Sequence, residues 1–446
     1  MARTESKERV SPSGLAALAA GIAAPEVLWL KRLRQSALRR FEALGLPTTR
    51  DEEWRQTNVQ ALGEIRLTRP EVATLSRADL DTMPAAAGLG CPRAVVVNGR
   101  FDASLSDLDD LPAGLQVEAL SRALRSRPEL LEPSLGRVAP FENRAFTALN
   151  TAAFEDGTVV SIAPRTIAET PIEILHVAVA GGLSPAIHPR TLVVAGDSSQ
   201  AAVVETYLSL DGEVHLTNAV TEIVVGENAI LDHARIQWEN DRAYHFGAVQ
   251  ARQARASRYT NHNIAFGAAL ARNDVGSVLE GEGAEATLNG LYLATGRQHV
   301  DNHTILDHAA PHCPSRELYK GILSGRAHVV FNGRIVVRPG AQKTDAKQSN
   351  NSLLLSNDAL IHTRPQLEIY ADDVKCTHGA TIGHLEDDAL FYLRTRGIDL
   401  DEARTLLIRG FVGDVLDRIA HAPLRARLAE RVLAATAPGT AAGGDA

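Results

Sequence analysis

Cys376 and His378 stand one residue apart in PQLEIYADDVKCTHGATIG, residues 365–383. Around them apolar and polar residues alternate (Leu367, Ile369, Val374), the pattern of a strand buried on one side. Residues two apart on a strand project to the same face, roughly 6–7 Å apart along the chain. A thiolate and an imidazole aimed at one point suit iron, zinc or copper. Two ligands do not close a metal centre, so the pair reads as half of a site. The spacing alone is more often a buried thiol beside a hydrogen-bonded histidine.

Other groupings are weaker. The run HVDNHTILDHAAPHC (299–313) holds His299, His303, His308, His312 and Cys313. His303 and His308 differ in strand parity, so the run cannot converge on one metal from one strand, and its members read as exposed or hydrogen-bonded histidines. Asp372 and Asp373 are neighbours and point to opposite faces, which suits a corner better than a glycosidase pair. Gly281 to Ala286 matches G-x-G-x-x-A, but the strand-like TLNGLYLA follows where a dinucleotide site needs a helix. There is no G-x-x-x-x-G-K-[ST] motif and no G-x-S-x-G motif, so no P-loop nucleotide site is expected in this chain. Lys343, Asp345, Lys347 and Gln348 lie in PGAQKTDAKQSNN, which reads as a polar loop between strands, beside Cys376.

The composition narrows the class. The chain has 446 residues, 45% of them hydrophobic, enough for one large core or two to three domains. A net charge of −8 with 4% aromatics argues against nucleic-acid binding. No apolar run is long enough to span a bilayer. Mixed charges precede the alanine-rich Gly14–Ala24 patch, which therefore reads as a short helix in a cytoplasmic protein, not a signal peptide. Three cysteines (Cys91, Cys313, Cys376) fit a reducing compartment and are too few for a cluster held by four thiolates.

The elements that must position the pair follow from periodicity. Residues 1–155 read as a mainly helical domain, with helices over 25–44 (Pro25 in the first turn), 115–132 and 141–155 and one strand over 93–98. Residues 156–385 are dominated by strand runs broken by small corners such as Gly226–Ala229 and Ser324–Ala327. Many short strands without crossover helices and with few two-residue hairpin signals favour a parallel β-helix over a sandwich. Residues 386–436 return to helix, over 386–396, 400–409, 411–421 and 423–435, as a domain expected to cap an open solenoid end and offer a docking surface. Residues 437–446 read as a disordered tail.

Five stretches go beyond periodicity. They are LGLPTTRDEEWRQTN (44–58), RQHVDNHTILDHAAPHCPSRELYKGIL (297–323), FNGRIVVRPGAQKTDAKQSNNSLLLS (331–356), PQLEIYADDVKCTHGATIG (365–383) and LFYLRTRGI (390–398). Together they resemble the SufB/SufD family, subunits of the SUF iron–sulfur cluster assembly scaffold, over about residues 30–435. SufB-type chains carry a cysteine where this one has Asn350, a glutamate where it has Thr377 and an acidic residue where it has Gly379. All three positions are of the SufD type. The resemblance implies a right-handed parallel β-helix with helical domains at both ends, and a non-enzymatic scaffold. It implies a heterodimer with SufB through the β-helices and a SufC ATPase on the C-terminal helices. It further implies a transient iron–sulfur cluster at the SufB–SufD interface, with His378 as a ligand and Cys376 at a nearby family cysteine. It leaves open a reduced flavin in the complex and a homodimer in the absence of SufB. Two rivals need other features: a carbohydrate-active β-helix enzyme needs paired carboxylates in a cleft, and a stand-alone metal-binding protein needs the 299–313 histidines to converge.

Overall fold

The computed structural model describes residues 13–22 and 27–437. Two ten-stranded sheets form the two walls of a parallel β-solenoid. From residue 200 the coils become regular, with ten-residue strands on the first wall beginning at Gln200, Ile230, Arg258, Glu285, Pro314, Asp345 and Lys375. The second wall supplies strands beginning at Leu216, Tyr244, Leu270, His299, His328 and Leu360. Each strand pairs in parallel with the strand one coil away, so inward side chains stack in columns. One such column on the second wall runs through Val193, Ile223, Ala251, Ser277, Leu306 and Ile335, all but one of them aliphatic and all buried.

The region before residue 156 contains more strand than its periodicity suggests. Arg93–Val97 pairs in parallel with Ile172–Ala178 and extends the first wall. Leu115–Ala119 is a strand, antiparallel to Gly157–Ile162, and helix begins only at Leu120. The expected helix over 115–132 fails at its start because Leu115 and Val117 alternate with period two before the 3.6 period of Leu120, Ala123 and Leu124 takes over. The first long helix is Leu28–Leu44, packed on Ala145–Ala153; Pro25 lies outside the described residues. Its buried Ala37 and Phe41 join Phe146, Leu149, Phe246 and Leu270 in one cluster on the outside of the second wall. A fully buried ion pair, Arg190 with Glu222 at 2.6 Å, fastens this region to the solenoid. Arg190 also donates to Asn150, and Glu222 accepts the backbone N–H groups of Gly136, Val138 and Ala139.

The C-terminal helices are Asp387–Thr395, Leu400–Leu416 and Ala422–Thr436. The break expected near residue 410 does not occur, since the apolar face made by Ile408, Val412, Val415 and Leu416 continues across Gly410. These helices do not cap the open end. They lie along the outside of the first wall, where Ile408 and Val412 pack with Leu291, Ile322 and Leu353. Lys320, only 5% exposed, reaches out of the wall to Asp414 Oδ2 at 2.5 Å and the Phe411 carbonyl at 2.8 Å. The last strand of the first wall, Lys375–His384, is therefore left exposed along nearly all its length. The tail from residue 438 lies outside the described residues.

Candidate functional site at the open end of the solenoid

PGAQKTDAKQSNN is not a loop throughout. Asp345–Leu354 is a strand of the first wall, and the terminal strand Lys375–His384 pairs with it in parallel register. Ala346 lies against Cys376 and Gln348 against His378. The residues of Asp345–Leu354 look like those of a loop because the solenoid interior is itself polar here. Gln348, Asn350 and Ser352 alternate inward and are buried, while Lys347 faces solvent. Polar atoms tolerate this burial only when hydrogen-bonded, and these are nearly all paired. Tyr292 donates to Asn350 Oδ1 at 2.9 Å, and Asn350 Nδ2 donates to Thr363 at 3.0 Å. Gln348 Nε2 donates to Glu317 Oε2 at 2.8 Å, and Thr304 donates to the other carboxylate oxygen at 2.5 Å.

Cys376 and His378 thus share the inward face of the last coil, as their spacing requires. Cys376 is half-buried against the end of the interior apolar column, and His378 is exposed. Burial pushes the Cys376 thiol up from its usual range, so it sits as a neutral thiol. His378 is the more available donor of the pair. Among the described residues no group of three or more His, Cys, Asp or Glu side chains is arranged to hold a metal. Immediately before this strand, the corner Asp372–Asp373 behaves as its spacing suggests: Asp373 pairs with Lys343, and its N–H donates to Gln342 at 2.9 Å.

The 299–313 histidines do not converge. His308 points inward, bonded to Ser315 at 3.0 Å, and burial pushes it down to about 4. His299 faces outward beneath the N-terminal region, within 2.9 Å of Thr57 Oγ1 and with its Nδ1 3.0 Å from His328 Nδ1. His303 pairs with Asp301 at 2.9 Å, and Cys313 is fully buried near the carbonyls of Gly281 and Pro311. Gly281–Ala286 leads into the strand Glu285–Ala294, not a helix.

Sequence reasoning missed the buried acids along the solenoid axis. Glu205 is fully buried: burial opposes its ionisation, but His176 and His233 hold it well below the usual carboxylate range. Glu317 has no such cation among the described residues. Burial pushes it up to about 7, and the bonds from Gln348 and Thr304 offset this only in part. The alternation Ser315, Glu317, Tyr319 carries a period-two signal, but only the coil length shows that this column runs under His378.

The site-bearing class is thus a parallel β-solenoid with an open terminal coil, a thiol and an imidazole on its inner lip and helices along one wall. A family model described as "SUF system FeS cluster assembly, SufBD core domain" matches residues 177–411, and "SufBD protein N-terminal region" matches 18–174. The chain belongs to the SufBD family of iron–sulfur cluster assembly proteins. It is 34% identical over 412 residues to a Synechocystis protein described as an iron–sulfur cluster assembly SufBD family protein, covering 90% of this chain and 89% of that one. It is 30% identical over 409 residues to the iron–sulfur cluster assembly protein SufD of Escherichia coli, covering 89% and 91%. It is also 30% identical over 407 residues to the chloroplastic protein ABCI7 of Arabidopsis thaliana, covering 89% and 84%.

Proposed function

We propose that this chain is the SufD-type half of a cluster assembly scaffold, and that the nascent cluster, as cargo, forms at its open end against SufB. The observation that carries this is the exposed terminal strand with His378 on its inner face. An edge strand of ten residues with unpaired backbone groups is a template for another chain. Exposed Ile382, Leu360 and Tyr370 add apolar surface at the same end. A neutral imidazole suits ferrous iron, and one histidine with a neighbouring thiol needs ligands supplied from across the interface. Such a mixed ligand set is labile enough for the cluster to leave. On this reading the chain catalyses nothing itself. SufC hydrolyses ATP and docks on the C-terminal segment 386–436, where Phe391 and Tyr392 are exposed. The Lys320–Asp414 contact gives a path from those helices into the wall. The segments 1–155, 156–385 and 386–436 then act as N-terminal clasp, cluster-bearing core and ATPase dock. The setting is the cytoplasm, consistent with three free cysteines.

The test is anaerobic cluster reconstitution on the complex with SufB and SufC. His378→Ala should abolish most cluster formation while the complex still assembles. Wild-type yield from His378→Ala would remove the role assigned to that residue. Phe391→Asp should reduce SufC co-purification, and full retention would place the dock elsewhere.

A further inference from the structure

We propose that Gln348 is a positioning residue for His378: its amide oxygen accepts the N–H of one ring nitrogen and so turns the other nitrogen out of the open end. The inference rests on the reading of His378 as a ligand of the assembling cluster. Its geometry stands on this chain alone.

Gln348 is 3% exposed, and the register sets it directly beneath His378 on the inward face of the first wall. Its Nε2 is committed to Glu317, one coil further in, at 2.8 Å. The two ends of an amide diverge from the same carbon. With the nitrogen bonded down to the Glu317 coil, the oxygen is left free to face the terminal coil. That oxygen is buried and has no hydrogen-bond partner among the described residues. A buried acceptor without a donor is unusual enough to require a cause. Among the described residues of this column only the terminal coil lies beyond it, and the residue in register there is His378. Neither ring nitrogen of His378 has a hydrogen bond among the described residues, so the exposed ring is able to supply the missing N–H.

The support beneath is built to hold the amide in this sense. Thr304 fixes the second oxygen of Glu317 at 2.5 Å, leaving the first for the amide nitrogen. Gly333, on the opposite wall, makes the room: a Cβ there would fall 2.2 Å from Gln348 Nε2. Imidazole ligands as a rule donate their second N–H to an oxygen, which fixes tautomer and ring orientation. Thr304, Glu317 and Gln348 form such a support for His378.

The test is the tautomeric state of His378 in the full-length chain carrying 15N-labelled histidine. The His378 signals among the 15 histidines are assigned by their loss in His378→Ala. Wild type should favour one tautomer over the free-imidazole ratio by about five- to tenfold. Gln348→Leu should return the ratio to that of free imidazole, and Gln348→Glu should restore the bias. Gly333→Ala, which displaces the amide without touching its chemistry, should act like Gln348→Leu and serves if the latter folds poorly. A free-imidazole ratio in wild type, or one unmoved by both Gln348→Leu and Gly333→Ala, overturns the inference. Cluster reconstitution with His378→Ala judges the ligand role separately, so failure of one does not entail failure of the other.

Discussion

Glu317→Gln should remove a contribution of the solenoid interior to stability that falls as pH rises. Glu317 is 4% exposed and has no cation beside it among the described residues. Its carboxyl is pushed from 4.5 up to about 7. A folded-state value above the unfolded one means that the folded chain holds the proton more tightly. The contribution is fully present below about pH 4.5 and is lost as pH rises through about 7. That shift corresponds to roughly 3 kcal/mol of stability between those limits. The wild-type profile is a composite, because burial pushes His188, His299 and His308 down to about 4. Those groups have the opposite sign: their contribution is present above about pH 6.5 and is lost as pH falls toward 4. The difference between variant and wild type removes them and isolates Glu317. Glutamine keeps the shape and accepts from Thr304, but its own amide N–H groups lack a partner, at a cost of about 1–2 kcal/mol. The variant should therefore be less stable than wild type at pH 5 and more stable at pH 8, with the curves crossing between. Urea unfolding followed by tryptophan fluorescence across pH 5–8 measures this. A variant-minus-wild-type difference that does not change with pH would refute the argument.

Arg190→Met should destabilise by roughly 3–5 kcal/mol, because it leaves Glu222 buried with only backbone donors; the melting temperature and the soluble yield report it. Asp414→Ala should cost about 1–2 kcal/mol, discounted because Asp414 is 66% exposed, and should raise amide hydrogen exchange in Leu400–Leu416 but not in the solenoid strands. Ile382→Lys should lower SufB co-purification if the terminal strand is the contact, while the melting temperature moves by less than about 1 kcal/mol worth, since Ile382 is 50% exposed.

Legibility varied along the chain for identifiable reasons. Most strands from residue 157 onward were readable because period-two alternation is local, and the C-x-H pair could be placed on one face for the same reason. Leu115–Ala119 was masked by the helical period that follows it. Asp345–Leu354 was masked because Gln348, Asn350 and Ser352 look like loop residues until a polar interior is there to receive them. The C-terminal helices were legible as helices, but their seat along the first wall was not. An apolar stripe shows that something covers it, not that Leu291, Ile322 and Leu353 do.

The sequence by itself determined the parallel solenoid, the shared face of Cys376 and His378, and, through its long matching stretches, the SufBD family. These depend on local periodicity and on residue identity. The tertiary structure alone decided that the terminal strand stays uncovered, that Glu317 and Gln348 lie in line beneath His378, and that one amide oxygen there lacks a partner. Those facts depend on coil length. Register across coils of about thirty residues sets which side chains meet, and no pattern within a single strand encodes it.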